Sequence, residues 1–300
     1  MKLISIVVPV FNEQDNVNVF YQEICKHIEP LDYSFELIFV DDGSTDETPF
    51  MLDKLAQQDD RVRPILLARN FGHQIALTCG VDHACGDAVV TMDGDMQHPP
   101  EMLPLLISKW EAGFEIVQTI RQDTEGVSWF KRFTSGMFYQ VINKLSDIRI
   151  AEGGSDFRLL DRKVVETLKN FKEKARFIRG IVGALGYKQI QIEFVAPQRF
   201  AGKSKFSYKK MIQFALDGIT AYSRLPLRLA LYLGVAFGLF SFLLTADVVY
   251  TKLFTTDAVP GWATIAASVL LLGGLQLIGL GIIGEYIGRI FEEVKQRPLY

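Results

Sequence analysis

Two aspartates one residue apart follow a short apolar run in AVVTMDGDMQHPPEM, residues 88–102. Carboxylates this close disfavour each other's ionisation, so the pair needs a compensating cation. Asp93 and Asp95 supply the oxygen ligands that Mg²⁺ or Mn²⁺ prefers, and the amide oxygen of Gln97 is a third candidate ligand. Such an ion would also neutralise a substrate diphosphate and favour its departure. A D-x-D pair is common in solvated turns as well, so its surroundings must decide between the two interpretations.

The elements around this pair predict an α/β fold. Up to about residue 195, β-rich runs alternate with helical patterns, which is typical of a mostly parallel sheet covered on both faces. The predicted strands are Ile4–Val10, Phe35–Val40, Arg63–Ala68, Ala88–Met92 and Glu115–Thr119.

Polar residues collect where these strands end. Asp41 and Asp42 follow the second strand, as Asp93 and Asp95 follow a later one, and PVFNE follows the first. Ligands of parallel sheets bind beyond the carboxyl ends of the strands, so we expect one shared site there. Asp46 is interpreted as a helix cap.

The C-terminal part has a different composition. Leu229–Ala246 and Trp262–Gly284 carry no charge, and about 20 apolar residues are enough for a helix to cross a bilayer. Two buried core helices are the alternative, which so long an absence of charge disfavours. Basic residues flank the pair of stretches while the loop between them is nearly neutral, so both termini and the N-terminal domain are expected in the cytosol of an integral inner or plasma membrane protein.

A basic segment, Arg199–Lys210, leads into an amphipathic helical pattern before the first span, which indicates contact with anionic headgroups. Lys209 and Lys210 are assigned to this membrane-facing patch. The predicted organisation is a catalytic domain, a juxtamembrane region, a two-helix hairpin and a tail, at residues 1–206, 207–226, 227–286 and 287–300.

Several motifs make a specific resemblance. IVVPVFNEQDNV, FVDDGSTDET, RNFGHQIALTCGVDHACGD, VTMDGDMQHPPE, GSDFRLLDRKVV and QRFAGKSKF occur in this order. Together they resemble the inverting family 2 glycosyltransferases, which have the Rossmann-like GT-A fold. The two C-terminal spans narrow the resemblance to enzymes that act on polyprenyl phosphate, of the bactoprenol glucosyltransferase type, related to dolichol-phosphate mannose synthase and the aminoarabinose transferase.

The resemblance implies roles residue by residue. The residues implied to bind the nucleotide-sugar donor are Pro9, Phe11, Glu13, Val40, Asp42, Asp93, Gly94, Asp95, Arg121, Arg199 and Lys205. The residues implied to contact the acceptor phosphate are Arg132, Ser135 and Lys205, with Lys131 as an alternative to Arg132. Asp93, Asp95 and Gln97 would hold Mg²⁺ or Mn²⁺. Asp95 and Asp156 are the catalytic candidates.

Asp156 is the residue that the resemblance offers as a base. An anionic lipid phosphate can attack the anomeric carbon without one, so Asp156 has the alternative role of orienting the acceptor or Arg158. Many relatives carry Asp or Asn where this chain has His98, which leaves open whether its ring is a metal ligand or an ordinary turn residue. His27, His73 and His83 are interpreted as structural.

The sequence therefore predicts transfer of one sugar, glucose from a UDP-linked donor, to undecaprenyl phosphate at the cytosolic membrane face. The alternatives are another sugar on the same lipid, a processive polysaccharide synthase, or a membrane-anchored nucleotide-sugar sensor without turnover. We expect no nucleic acid partner. Glycines in the second span, including Gly284 and Gly288, predict close helix contacts and a homo-oligomer, with a tetramer as one form.

Overall fold

A computed structural model describes residues 1–122, 154–174, 176, 178–195, 225–254 and 261–300 of the chain. These residues divide into two compact units, one with the sheet and one with two long helices. The strands described are β1 Leu3–Val10, β2 Ser34–Asp41, β3 Val62–Leu66, β4 Ala88–Thr91, β5 Ile116–Gln122, β6 Gly154–Asp161 and β7 Gln189–Val195. The helices of the sheet unit are α1 Val17–Ile28, α2 Thr48–Gln58, α3 His73–His83, α4 Leu103–Glu111, α5 Arg162–Lys169 and α6 Ile178–Ala184.

Within the described residues the strands form one sheet in the order β3-β2-β1-β4-β6-β5-β7. The pairs β1–β2, β1–β4, β2–β3 and β5–β7 are parallel, as a sheet built from alternating strands and helices should be. β6 is the exception, because it runs antiparallel to both β4 and β5. The predicted mostly parallel α/β fold is confirmed, and the reversed strand is an addition to it.

Because β6 runs antiparallel to its neighbours, its first residues lie at the edge of the sheet where the D-x-D pair follows β4. In the β4–β6 register Ala88 pairs with Asp161 and Thr91 pairs with Arg158. Continuing this register by two residues places Asp156 beside Asp93. The beginning of an antiparallel strand therefore lies at the same edge as the carboxyl ends of its parallel neighbours.

Both faces of the sheet are covered. Along β1, Ile4, Ile6 and Val8 pack into one buried cluster, and Val7 packs into the other. This alternation follows from the two-residue period of a strand, and it explains why the central strands read as continuous apolar runs. α1 shows the matching helical period, since its buried residues are Val17, Phe20, Ile24, Cys25 and Ile28.

The second unit contains α7 Leu225–Phe254 and α8 Trp262–Val294. Each includes a window long and apolar enough to cross a membrane, at Pro226–Thr251 and at Leu271–Val294, and neither window is buried. At about 1.5 Å per residue each helix is longer than a hydrocarbon core of about 30 Å. α8 continues past Gly284 into a charged last part, where Arg289 pairs with Glu285 at 3.2 Å.

Candidate active site

The loop after β4 carries the D-x-D pair in a defined conformation. The amide N–H of Gln97 donates to Asp95 Oδ1 at 3.1 Å, and Met96 adopts a left-handed φ of 63°. A Cβ at Gly94 would lie 2.9 Å from Val10 Cγ1, so glycine lets the loop approach β1 closely. Unusual backbone conformations of this kind persist where surrounding contacts enforce them, which is common at functional sites.

The first two strands bring the predicted donor residues to the same edge. Pro9 pairs with Val40 in the β1–β2 register, and both Phe11 and Glu13 follow directly after β1. Glu13 accepts a hydrogen bond from the side chain of Asn16 at 2.6 Å. These predicted residues therefore lie together at the carboxyl edge.

Both carboxylate oxygens of Asp42 are hydrogen-bonded to the backbone of a neighbouring loop, so this side chain does not point freely toward a ligand. Its two oxygens accept hydrogen bonds from the amides of Phe71 and Gly72, at 2.7 and 2.9 Å. Burial raises the pKa of Asp42, although these two amides oppose the rise. Asp42 thus holds the loop that leads into α3. Its neighbour Asp41 keeps one buried oxygen, Oδ1, without a hydrogen-bond partner.

Asp156 lies at the centre of a buried cluster of charges. Arg179 donates to both of its oxygens, with Nε–Oδ1 at 3.0 Å and Nη2–Oδ2 at 2.7 Å. Arg158 Nη2 donates to Oδ1 at 3.0 Å, and Gln74 Nε2 donates to Oδ2 at 3.1 Å. Burial alone would raise the pKa of Asp156, but His73, Arg179 and Arg158 hold it well below its usual range.

Arg158 is enclosed in the protein. Only 1% of it is exposed, and two of its nitrogens, Nε and Nη1, are buried without a hydrogen-bond partner. Burial lowers the pKa of its guanidinium to about 10, although the charge of Asp156 opposes this shift. A buried arginine in this state retains unused capacity to donate hydrogen bonds.

His73 connects Asp156 to the D-x-D pair. Its Nε2 is 3.3 Å from Asp93 Oδ1 and 3.6 Å from Asp156 Oδ2. Desolvation opposes protonation, yet the hydrogen bond to Asp156 and the charge of Asp93 raise the pKa of His73. The sequence analysis interpreted His73 as structural; the structure places it between Asp93 and Asp156, with 43% of its side chain exposed.

His98 secures the D-x-D loop to β6. Its Nδ1 accepts from the backbone N–H of Asp93 at 2.7 Å, and its Nε2 is 2.7 Å from Ser155 Oγ. The acceptor role of Nδ1 requires a neutral ring with its proton on Nε2, in agreement with the lowering of its pKa by burial. Both ring nitrogens are engaged, so the ring acts as a connector between the two elements and is not available as a metal ligand.

Arg121, at the end of β5, donates through Nη1 to Gln97 Oε1 at 3.4 Å, which joins two more of the predicted residues. Arg132, Ser135, Arg199 and Lys205 lie outside the described residues. Three participants were missed by the sequence analysis, namely His73, Gln74 and Arg179. His73 and Gln74 follow Gly72 at the start of α3, the helix that follows β3. That position at the carboxyl edge of the sheet is a sequence signal that could have identified both residues. Arg179 had no such signal.

The residues present fit a divalent cation. Asp93 Oδ1 is buried and makes no hydrogen bond, although His73 Nε2 lies 3.3 Å away as a charge partner, and carboxylate oxygens are ligands that Mg²⁺ and Mn²⁺ prefer. Among the described residues no group of three or more His, Cys, Asp or Glu side chains is arranged to hold a metal. An ion on the D-x-D pair would therefore complete its coordination with substrate oxygens and water, which is usual for Mg²⁺.

The fold and site together define an α/β transferase domain of the GT-A type, joined to a pair of long apolar helices. The family model "Glycosyl transferase family 2" matches residues 5–169, and the model "GtrB C-terminal hairpin" matches residues 225–290. The chain belongs to glycosyl transferase family 2, and it is an enzyme of the hexosyltransferase class.

Relatives match along the whole chain. The bactoprenol glucosyl transferase of Shigella phage SfV is 43% identical over 297 residues, which cover 99% of this chain and 97% of that protein. The glycosyltransferase YkcC of Bacillus subtilis is 44% identical over 296 residues, with 99% and 92% covered. A solved structure of glucosyl-3-phosphoglycerate synthase from Mycobacterium tuberculosis is 16% identical, covers 73% of this chain and 78% of that one, and has a TM-score of 0.47.

Proposed function

We propose that this enzyme transfers glucose from UDP-glucose to a polyprenyl phosphate such as undecaprenyl phosphate. The observation that carries the proposal is the pairing of two sites of opposite charge at one sheet edge, the D-x-D carboxylates and the arginines around Asp156. The names of the bactoprenol glucosyl transferases, 41% to 43% identical over almost the full chain, support the choice of sugar and lipid.

The donor is assigned to the edge formed by β1, β2 and β4. Pro9, Phe11, Glu13 and Val40 would contact the nucleoside, with Asp42 acting through the loop that it holds. Asp93, Asp95 and Gln97 would hold Mg²⁺ or Mn²⁺, which neutralises charge on the leaving diphosphate. Arg121 reaches this group through Gln97.

The reaction needs no proton acceptor when the lipid phosphate enters as a dianion. An oxygen of that phosphate forms a bond to the anomeric carbon on the face opposite the donor diphosphate. The bond between that carbon and the diphosphate oxygen breaks, and its electron pair leaves with the nucleoside diphosphate. The configuration is inverted, and the protein contributes alignment and charge stabilisation.

The two long helices support a membrane location for this reaction, since both contain windows of spanning length. We place α7 and α8 across the membrane with the sheet unit on the cytosolic side. Arg228, at the start of the first window, and Arg297, after the second, fit this orientation, because positive residues favour the cytosolic side.

The proposal is tested with purified full-length protein, labelled UDP-glucose, undecaprenyl phosphate and Mg²⁺ or Mn²⁺. Asp95→Asn removes one carboxylate from the metal site, so we expect labelled lipid to fall at least about a hundredfold. Asp53→Asn, an exposed change on α2, is the matched control and should keep wild-type turnover. Full activity of Asp95→Asn, or of the wild type in excess chelator, would refute the metal role.

The same preparation separates the alternatives. A panel of nucleotide sugars identifies the donor by its kcat/KM, and we expect UDP-glucose to be preferred. Binding of UDP-glucose without any labelled lipid would favour a sensor over an enzyme on this lipid.

A further inference from the structure

His73 is the first residue of α3, and its backbone is fixed at the carboxyl edge of the sheet. The residue before it, Gly72, has a left-handed φ of 99°, and the amide of Gly72 donates to Asp42 at 2.9 Å. Further along the helix, Ala76 and Leu77 are buried in the core. The side chain of His73 is nevertheless 43% exposed. An exposed ring on a fixed backbone is suited to contact a ligand, because little ordering remains to be done when the ligand binds.

The exposed ring lies between the D-x-D pair and the buried carboxylate of β6. Its Nε2 is 3.3 Å from Asp93 Oδ1 and 3.6 Å from Asp156 Oδ2. A single ring N–H can be directed at only one of these two oxygens at a time. The two oxygens are also no farther apart than the sum of the two distances. His73 therefore occupies the gap between the metal carboxylate and Asp156.

The transferred sugar must lie beside the same gap. In the proposed reaction the donor diphosphate is held at Asp93 and Asp95, and the anomeric carbon is joined to that diphosphate through one oxygen. The acceptor phosphate approaches this carbon from the opposite face, so the sugar ring is directly next to the D-x-D pair. An exposed side chain that contacts Asp93 is therefore placed to contact the sugar.

The neighbouring side chains are less suited to that contact. His98 is 6% exposed, and both of its ring nitrogens are engaged. Gln74 donates from Nε2 to Asp156 at 3.1 Å and accepts through Oε1 from the amide of Ile178 at 3.3 Å. Asp156 itself is 2% exposed. Of these side chains, His73 is the one with substantial exposed surface.

We propose that His73 contacts the transferred hexose and takes part in selecting it, with its ring N–H donating to one sugar hydroxyl. The inference rests on the proposed function and adds to it a residue that recognises the sugar rather than the nucleotide or the lipid. Turning this N–H toward the sugar leaves Asp156 with its hydrogen bonds from Arg158 and Arg179. Asp93 is left to the metal ion that it is assigned to hold. Such a contact discriminates between sugars, because an analogue without the hydroxyl leaves the ring nitrogen unpaired.

The test compares His73→Ala, His73→Phe and His73→Gln with the control His83→Ala. His73→Phe keeps an aromatic ring without the N–H, and His73→Gln keeps an N–H donor without the ring, so the comparison does not depend on the alanine variant alone. His83 is the matched control because it is a histidine at the other end of the same helix, about 15 Å along the axis. It is likewise exposed, and its Nδ1 is 2.8 Å from the backbone oxygen of Cys79. Thermal midpoints of all variants are measured in the same detergent.

Binding separates the sugar from the nucleotide. The Kd values of UDP and of UDP-glucose are measured with Mn²⁺ and without acceptor lipid. His73→Ala should raise the Kd of UDP-glucose about three- to tenfold and leave the Kd of UDP within about twofold of the wild type. The Mn²⁺ concentration for half-maximal UDP binding should also stay unchanged. His83→Ala should alter none of these constants.

Analogues of UDP-glucose that each lack one sugar hydroxyl identify the group that His73 contacts. They are compared by kcat/KM for transfer to undecaprenyl phosphate. With the wild type, one analogue should be about ten- to a hundredfold poorer than UDP-glucose. In His73→Ala and His73→Phe that difference should shrink to about twofold, since the partner of the hydroxyl is already gone. His73→Gln should keep part of the difference.

Three results would overturn the inference. Equal weakening of UDP and UDP-glucose in His73→Ala would mean that the ring acts through Asp93 and the metal. Discrimination among the analogues that is the same in His73→Ala and the wild type would exclude a contact with any of the hydroxyls. Constants equal to those of His83→Ala would remove His73 from the site. A wild type that makes no labelled lipid refutes the proposed function instead, while the comparison of UDP with UDP-glucose binding still decides whether His73 contacts the sugar.

Discussion

His98→Ala is the substitution that tests how the D-x-D loop is held. The ring is 6% exposed and joins the backbone of Asp93 to Ser155 through two hydrogen bonds of 2.7 Å. It also stacks on Phe157, with ring centroids 5.2 Å apart and planes inclined by 17°. Alanine removes all three contacts and leaves the N–H of Asp93 without its acceptor.

The expected cost follows from these contacts. Two hydrogen bonds contribute about 0.5–1.5 kcal/mol each and the aromatic stacking about 0.5–1.5 kcal/mol. The lost contacts therefore destabilise the catalytic unit by about 3 kcal/mol, before any relaxation of the cavity. In a unit of this size each kcal/mol of destabilisation lowers the thermal midpoint by about 2–4 °C, so we expect a fall of about 6–12 °C. The metal concentration for half-maximal activity should rise, because Asp93 is then less well oriented.

His98→Asn and His98→Gln separate the two hydrogen bonds. An asparagine oxygen can take the place of Nδ1 and accept from Asp93, whereas glutamine reaches toward Ser155. Asn should therefore keep a metal dependence close to the wild type while losing part of the stability, and Gln should show the weaker metal response. An alanine variant with an unchanged midpoint and an unchanged metal titration would refute this reasoning.

Two further predictions concern acid stability and assembly. Burial alone would raise the pKa of Glu36, but hydrogen bonds from Ser5, the amide of Cys85 and Arg63 lower it. The ionised Glu36 therefore stabilises the folded protein above the unfolded pKa of about 4.5, and this stabilisation is lost as the pH falls through the lower pKa of the folded state. Glu36→Gln should therefore flatten the decline of the thermal midpoint below about pH 5. A Cβ added at Gly288 would meet nothing within 4 Å in a single chain, so leucine can be accommodated there unless a second chain packs against α8. If α8 forms the contact between chains, Gly288→Leu should lower the mass of the detergent-solubilised homo-oligomer, a tetramer or smaller. Gly234→Leu on α7, which is equally free of neighbours, is the control, and equal masses for the wild type and both variants would exclude that contact.

The first half of the sheet was predictable from sequence because its strands are buried on both faces. Such strands appear as unbroken apolar runs, and β1 and β2 differ from their predicted bounds by one residue at an end or less. β3 ends at Leu66 rather than Ala68, and β5 continues to Gln122, past the predicted Thr119. Strand ends depend on pairing with neighbours, which a local pattern does not contain.

The sequence analysis did not predict β6, and the same physical reason explains why it did not predict the pairing of Asp156 with Arg158 and Arg179. In GSDFRLLD, Phe157 and Leu159 face one apolar cluster, while Asp156 and Arg158 are buried on the other face. Charged residues in a short run ordinarily indicate an exposed segment. Here they are buried because they pair with each other and with Arg179, which comes from a helix more than twenty residues later. No periodicity in a single sequence reports a partner at that distance.

The reversed direction of β6 has a consequence for the proposed reaction. Three carboxylates, Asp93, Asp95 and Asp156, meet at one edge of the sheet, and three like charges cannot share one divalent ion without leaving net negative charge. Because β6 is antiparallel, Asp156 enters from a separate strand together with Arg158 and is compensated by guanidiniums. The D-x-D pair is then left to a metal and a diphosphate. Two neighbouring regions of opposite sign result, and a transfer between two phosphate-bearing substrates requires such a division, since each substrate must meet its own positive charge on opposite sides of one sugar.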